Sequence, residues 1–327
     1  MTRISIIMPV YNAEATLAAS LQSVIEQSFR DIEMIFVDDC SSDGTAGLLA
    51  DFAAKSGIPC SILRQEKNMG VASARKRGIE AASGEYIGFL DADDRLETEA
   101  LKKAAAALEV SDEPVDILGW DWTLGFTKNG RLMRQAGFGT PLQAVMNLMG
   151  GTMRWNLWLF LIRREMLVSN GISFIDGADM GEDMQFMIRS FLAAARVKQI
   201  HESLYRYNAV SESSISRQFS QQRRSQIESN VKEVEKAVKT SEHSDVLCPE
   251  MDSLKLFLKR PLLIGNEKKN YELWYGWFPE SNGAAMKNKA LPLRIRLLQG
   301  MAARKMWTGV RMHYRLIYQF VYGILYH

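Results

Sequence analysis

Two hydrophobic periods alternate along the first hundred residues. Ile4 to Val10 is an apolar run of strand length, and Tyr11-Asn12-Ala13 turns it into a segment whose Leu17, Leu21, Val24 and Ile25 share a helical face. The pattern then restarts. Glu33 to Val37 predicts a second strand ending in Asp38-Asp39, Ser41 to Thr45 caps a second helix, Cys60 to Leu63 is a third strand, and Gly70 to Ala82 is a third helix. A fourth apolar run begins at Gly84 and stops at three carboxylates, Asp91, Asp93 and Asp94. Strands alternating with helices of this length imply right-handed crossovers and a parallel sheet covered on both faces. Such sheets bind ligands beyond the carboxyl ends of their strands. Polar residues gather at those ends: Asn12, Asp38 with Asp39, Asn68, and Asp91 with Asp93.

Carboxylates at i and i+2 on extended backbone point the same way, so Asp91 and Asp93 can share one hard cation, and that cation can hold a diphosphate. The plainer alternative makes Asp93 or Asp94 a cap for a segment starting near Leu96. A second acidic pair, Glu182-Asp183 after Gly181, opens a helical stretch with Phe186, Met187, Phe191 and Leu192. Acids in a first helical turn also complement the helix dipole without further purpose. Trp120 and Trp122 bracket Asp121 and fall on one face of a strand, with Asp121 read as a surface acid. The four His are scattered and the three Cys lack ligand spacing, so a zinc site is not expected.

These segments resemble glycosyltransferase family 2, whose members have the GT-A fold. The resemblance is carried by Ser5-Ile-Ile-Met-Pro-Val-Tyr-Asn12, Phe36-Val-Asp-Asp39 with Ser41-Ser-Asp-Gly-Thr45, Asn68 to Arg75 with Gly78, and Gly84 to Asp94. It continues more weakly through Trp158 with Arg163-Arg-Glu165, Gly181-Glu-Asp183, and Leu204-Tyr-Arg-Tyr207 followed by Ser214-Ile-Ser216. The implied fold is α/β, a Rossmann-like and mainly parallel sheet with helices on both faces, plus a C-terminal helical extension. The implied activity is metal-dependent, inverting transfer of one sugar, a hexose or N-acetylhexosamine, from a nucleotide-sugar, most readily a UDP-sugar.

The resemblance also assigns residues. Pro9, Tyr11 and Glu14 match positions lining the base and ribose, and Asp39 matches an acid accepting from the uracil ring N–H, a donor flanked by two carbonyls. Asp38 is left as structural or ribose-contacting. Arg75 matches a segment facing the nucleotide and its phosphates, where a guanidinium fork fits. Lys76 and Arg77 read as solvated helix charges. Asp93 would contact Mn²⁺ or Mg²⁺ directly, with Asp91 reaching it through water or meeting the ribose. Asp183 matches the base that deprotonates the acceptor, with Glu182 beside it. Trp158 is open between a wall of the sugar site and core filler, and Asp121 could meet the donor sugar. Two departures stand out: Cys40 where relatives usually have Gly, and Ser211 where some have a His near the metal.

The 327 residues can bury a sizeable core, and the composition is that of a globular protein. The expected organisation is a catalytic domain over residues 1–215, a helical extension over 216–280 and a basic tail over 281–327. Met1-Thr-Arg3 leads straight into the first strand, so no signal peptide is expected, and the cysteine usage suits a reducing cytoplasm. Residues 281–327 contain eight Lys or Arg and no acid. Taking that +8 from the chain's +2 leaves −6 for the first 280 residues. A helix from Arg304 onward would put Arg304, Arg311 and Arg315 opposite Met306, Val310, Ile317, Phe320, Val321 and Ile324. Residues 290–327 could then lie in an anionic membrane surface at the inner face of the cytoplasmic membrane, or pack on protein. Arg311, His313 and Arg315 interrupt the only long apolar stretch, so a membrane span is not expected. Nucleic acid is not an expected partner, because the rest of the chain is acidic.

By resemblance the acceptor is a glycan or a lipid-linked glycan in surface-polysaccharide assembly. The Gln-x-x-Arg-Trp motif of processive relatives is absent, so one addition per encounter is expected. A nucleotidyltransferase would show a Gly-rich basic loop that Met8-Pro-Val-Tyr-Asn12 lacks. The remaining alternative is a module of this fold that binds nucleotide or scaffolds an assembly without turnover.

Overall fold

A computed structural model describes residues 4–110, 113–125, 130–208 and 220–317. Its elements are β1 (Ile4–Val10), α1 (Glu14–Ile25), β2 (Ile32–Asp38), α2 (Thr45–Lys55), β3 (Cys60–Arg64), α3 (Val71–Ala81), β4 (Tyr86–Phe89), β5 (Arg95–Leu96) and α4 (Ala100–Glu109). There follow β6 (Ile117–Leu124), β7 (Arg131–Met133), α5 (Pro141–Gly150), β8 (Phe160–Arg163), α6 (Arg164–Ser169), α7 (Glu182–Ala193) and β9 (Val197–Tyr207). The remainder is helical: α8 (Gln221–Thr240), α9 (Ser244–Leu247), α10 (Met251–Lys259), α11 (Lys268–Gly276), α12 (Leu293–Ala303) and α13 (Trp307–Tyr314). The chain divides into two compact units, Met1–Ala144 with Trp155–Ala237, and Val145–Arg154 with Val238–His327. Ser211, Ser214 to Ser216 and the tail beyond Ile317 lie outside the described residues.

The first unit holds one sheet in the order β3-β2-β1-β4-β8-β6-β9-β5, with β7 on β6. β3, β2, β1 and β4 are mutually parallel, as their alternation with helices predicts. β1 and β2 are buried almost throughout, because helices cover both faces of the sheet. One close approach fixes α3 on β1: a Cβ at Gly78 would fall 2.4 Å from Ile7 Cγ2. Beyond β4 the sheet becomes mixed. β8 runs antiparallel to both β4 and β6, while β6 and β9 are parallel. β1 lies between β2 and β4, so strand order reverses there, and the crevice beyond its carboxyl end is the switch point where such sheets take ligands.

Leu96 lies in a two-residue strand that pairs antiparallel with β9, Leu96 opposite Tyr205, and α4 starts only at Ala100. The capping alternative for Asp93 or Asp94 is therefore not the one realised. Asp121 is also corrected. It is completely buried rather than a surface acid, with Oδ1 accepting from Gln135 N at 2.8 Å and Oδ2 3.4 Å from His201 Nδ1. These partners offset the desolvation that would otherwise drive an acid outward.

In the second unit, Lys259 is fully buried and donates to Trp277 O, Phe278 O and Asn282 Oδ1 at 3.0, 3.1 and 2.6 Å, with Trp274 under its ammonium at 4.3 Å. Burial pushes its pKa down to about 7. The helix expected from Arg304 begins at Trp307, because Lys305 adopts φ +56 and breaks the run after α12. Val310 is buried and Trp307 stacks on Tyr271, ring centroids 5.8 Å apart. Leu293, Leu297, Met312 and Leu316 stay exposed beside Arg294, Arg311 and Arg315.

Candidate active site

Two loops at the switch point are stitched together by their own polar groups. Asn12, at φ +47, accepts from Ser42 N through Oδ1 at 2.8 Å, and its own N–H donates to Ser41 Oγ. Ala13 N–H donates to Thr45 Oγ1, Glu14 N–H to Asp43 Oδ2, and Gly44 N–H to Glu14 Oε2. Asp38 closes the turn by accepting from Ser41 N, the plainer of the roles open to it. Cys40 has φ +67, a left-handed conformation that explains why a Gly would be at ease there. Tyr11 is 52% exposed at the end of β1, leaving its ring available to a ligand, while Pro9 lies within the strand.

Asp39 is 5% exposed and organises the loop before α3. Its Oδ1 accepts from Gln65 Nε2 and Met69 N at 2.8 and 2.7 Å, and Oδ2 from Gly70 N at 2.8 Å. Gly70 has φ +90, and a Cβ there would strike the Asp179 carboxylate, which accepts from Ala72 N at 2.9 Å. Asp179 had no signal in the sequence beyond its place between two glycines. Its role depends on a partner 107 residues away.

Arg75 departs from expectation. It is 6% exposed, and its fork is committed to acids: Nη1 to Asp183 Oδ1 at 2.6 Å and Glu182 Oε1 at 2.8 Å, with Nη2 3.4 Å from Asp91 Oδ1. Three carboxylates thus meet one guanidinium. Burial alone would favour its neutral form, but Asp183, Asp91 and Glu182 outweigh that and hold it firmly charged. Burial raises the pKa of Glu182 well above the usual range, with Asp183 adding to the effect and Arg75 opposing it. Burial raises Asp183 as well, against Arg75. The side chains of Glu182 and Asp183 keep 13% and 15% exposure, enough for a ligand atom to reach them. Gly181, at φ +79, lets the chain turn into α7 so that both acids sit at its N-terminus.

The Asp91–Asp94 segment divides its labour. Asp94 is fully buried and structural: Oδ2 accepts from Tyr205 Oη at 2.8 Å and Oδ1 from Asn208 N at 2.7 Å. Burial, then Asp91, lifts its pKa to about 8. Tyr205 Oη also accepts from Asp91 N at 3.2 Å, and Ser20 Oγ donates to Ala92 O and Asp94 O. With Asp94 so used, Asp91 and Asp93 are the acids left facing the site, and burial together with Asp91 raises the pKa of Asp93. Two neighbouring carboxylates are a donor set suited to Mn²⁺ or Mg²⁺. Among the described residues no group of three His, Cys, Asp or Glu side chains is placed to hold a metal ion. Trp158 is 4% exposed, stacked on Tyr205 at 4.4 Å and Tyr207 at 5.5 Å, and edge-on to Trp122. It packs as core behind the acid segment.

Comparison with known proteins agrees with this geometry. The model of the family described as glycosyl transferase family 2 matches residues 5–174, more than half the chain. An uncharacterized glycosyltransferase of Bacillus subtilis, EpsJ, is 32% identical over 216 residues, 62% of this chain and 60% of EpsJ. The poly(ribitol-phosphate) beta-N-acetylglucosaminyltransferase TarS of Staphylococcus aureus is 29% identical over 63% of this chain and 35% of its own. The crystal structure of residues 1–349 of TarS with UDP-GlcNAc superposes with a TM-score of 0.72 at 20% identity, covering 98% of this chain and 92% of that one. A mannosyltransferase of Pyrobaculum calidifontis in complex with GDP-Man and Mn²⁺ superposes at TM-score 0.56 and 18% identity, covering 98% and 87%. These likenesses establish a shared fold. The chain spans about 60% of the length of EpsJ.

Proposed function

The chain belongs to glycosyl transferase family 2 and has its GT-A fold, and from that premise we propose that it is an inverting transferase moving one sugar from a UDP-sugar to a glycan or lipid-linked glycan. The observation that carries the reading is the acidic cluster at the switch point, Asp91, Glu182 and Asp183 about Arg75 with Asp93 alongside. Tyr11, Pro9 and Glu14 would line the base and ribose. Asp39 would accept from the uracil imide through Oδ2, which holds only one bond. Asp93, with Asp91, would hold Mn²⁺ or Mg²⁺ against the diphosphate, and a cation there offsets charge on the departing group.

Asp183 is the base in this reading. Burial raises its proton affinity and Arg75 opposes that rise, and a base needs affinity enough to take the proton. The acceptor hydroxyl gives its proton to Asp183 as its oxygen bonds to the anomeric carbon. The bond from that carbon to the diphosphate breaks on the opposite side, UDP leaves, and configuration inverts. Glu182, which accepts from the same Arg75 Nη1, would support that base and meet the sugar rather than replace it.

The UDP-GlcNAc complex of TarS supports the choice of nucleotide, and the family supports a place in surface-polysaccharide assembly at the inner face of the cytoplasmic membrane. Basic residues beside exposed Leu293, Leu297, Met312 and Leu316 support contact with an anionic bilayer. No helix among the described residues is long and apolar enough to cross one. The test is a thermal-shift panel of UDP, GDP, dTDP and CMP, with and without Mn²⁺, on wild type, Asp93→Ala and Asp183→Asn. UDP should stabilise wild type and Asp183→Asn but not Asp93→Ala, and Asp183→Asn should have lost transfer. Failure of every nucleotide to stabilise folded wild-type protein would favour the non-catalytic module.

A further inference from the structure

A cleft of the first unit has a volume of about 650 Å³ and is not lined by any residue assigned above to the donor. One wall is the stretch from Ile175 to Ala178, and the other is a face of α8 bearing Gln221, Gln222, Ser225, Gln226 and Ser229. The same helix holds the segment that leads into the catalytic turn. Gln226 Nε2 donates to Gly177 O at 2.8 Å, and Asn230 Nδ2 donates to Ala178 O and Met180 O at 3.1 and 2.9 Å. Ile227 Cα would lie 3.8 Å from a Cβ at Gly181, the residue immediately before Glu182 and Asp183. The cleft therefore borders the chain that leads into the turn before the proposed base, and neither Asp91 nor Asp93 lines it.

Its lining has a specific chemistry. Gln amides and Ser hydroxyls each donate and accept, as sugar hydroxyls do. Asp176 adds a carboxylate whose Oδ1 can take a hydroxyl hydrogen while Oδ2 accepts from Lys76. Among the described residues no Lys or Arg is in the lining, although Arg223 and Arg224 occur on the same helix, and Lys76 pairs with Asp176 at 2.7 Å, which leaves that wall without net charge. Binding of a polyphosphate chain would call for an excess of fixed positive charge, which this wall does not supply.

We propose that this cleft is the acceptor subsite, and that it takes an uncharged, hydroxyl-rich glycan rather than a polyanionic one. The inference rests on the transferase reading and extends it to the acceptor's chemical class. It separates this chain from TarS, whose name gives a poly(ribitol-phosphate) acceptor.

The experiment is saturation-transfer NMR on the full chain with UDP present. The probes are neutral trisaccharides of glucose, galactose, mannose, rhamnose and N-acetylglucosamine, and oligo(ribitol phosphate). At least one neutral trisaccharide should give a signal that falls at least fivefold in the double variant Gln222→Ala/Ser225→Ala, while UDP-induced stabilisation is unchanged. Both positions are on the helix surface and neither makes the bonds to 177–180, and Ser225→Asp provides a second variant that adds repulsion without enlarging the cleft. Signal from oligo(ribitol phosphate) alone, from no saccharide, or of equal strength in the variants would overturn the proposal. Loss of UDP binding in wild type would instead strike the transferase reading itself.

Discussion

Replacing Arg75 by Met removes the one cation shared by Asp91, Glu182 and Asp183 while keeping its volume. Removing one partner of a buried pair costs roughly 3–5 kcal/mol, because the remaining charge stays desolvated. Here the acids keep 29%, 13% and 15% of their side-chain exposure, which favours the lower part of that range. The loss should depend on pH in a definite direction. Without Arg75 the pKa values of Glu182 and Asp183, already raised by burial, climb further. A carboxyl whose folded pKa lies above its unfolded value contributes stability that is present at low pH and lost as pH rises through the folded value. The deficit of Arg75→Met should therefore be about 3 kcal/mol at pH 8. It should shrink toward pH 5 by as much as ~1.4 kcal/mol per pH unit for each proton taken up. Urea unfolding of both proteins in chelator-containing buffer at pH 8, 6.5 and 5 measures this. A deficit under about 1 kcal/mol, or one that is the same at all three pH values, would refute the account of the cluster.

Four further outcomes follow from the geometry. Wild-type stability in chelator should fall between pH 5 and 8, because folded Asp94, with its pKa lifted to about 8, holds a proton that the unfolded chain has released; a stability rising over that range would contradict this. Cys40→Gly should leave stability unchanged or raise it by about 1 kcal/mol, because relief of the left-handed φ outweighs the weak Sγ–Glu66 O contact at 3.7 Å, whereas Cys40→Val should lower it; denaturation midpoints separate the two. Gly70→Ala should cost about 2 kcal/mol or more through its φ of +90 and the clash with Asp179, and calorimetry would expose a neutral result. The charge reversal Arg294→Glu/Arg311→Glu/Arg315→Glu should weaken co-sedimentation with anionic liposomes at least fivefold without loss of folding, and unchanged sedimentation would remove the membrane from the proposal.

The parallel half of the sheet was legible because each strand is a short apolar run followed at once by a helix with its own period. Val71–Ala81 and Glu182–Ala193 fell close to the expected spans for the same reason. The acids at the strand ends were legible as types in a local pattern. Their partners were not. Arg75 meets Asp183 across 108 residues, and nothing near either one signals that a guanidinium will be drawn to carboxylates. Asp121 looked solvent-facing because its compensation comes from Gln135 N and His201, both distant in sequence. Trp158 could not be decided from its neighbours, since stacking on Tyr205 and Tyr207 requires β9 in place. The mixed direction of β6, β8 and β9 is likewise a property of pairing rather than of any one strand's sequence.

The hydroxyl of Tyr205 bears on how the protein is made. It joins Asp91 N to Asp94 Oδ2 across 114 and 111 residues, and Asn208 N completes the Asp94 shell across another 114. A ribosome delivers β1 to β4 first, and that parallel core can pair from material already synthesised. The acidic segment meets Ser20 and Arg75 early, but the Asp94 carboxylate waits for Tyr205 and Asn208. A nascent chain halted before Leu204 would thus have a settled parallel core but a loose catalytic edge, with Asp94 still solvated and its last pairing strand unfinished. Ligand binding would appear abruptly with chain length, after most of the sheet is protected, rather than growing in step with it.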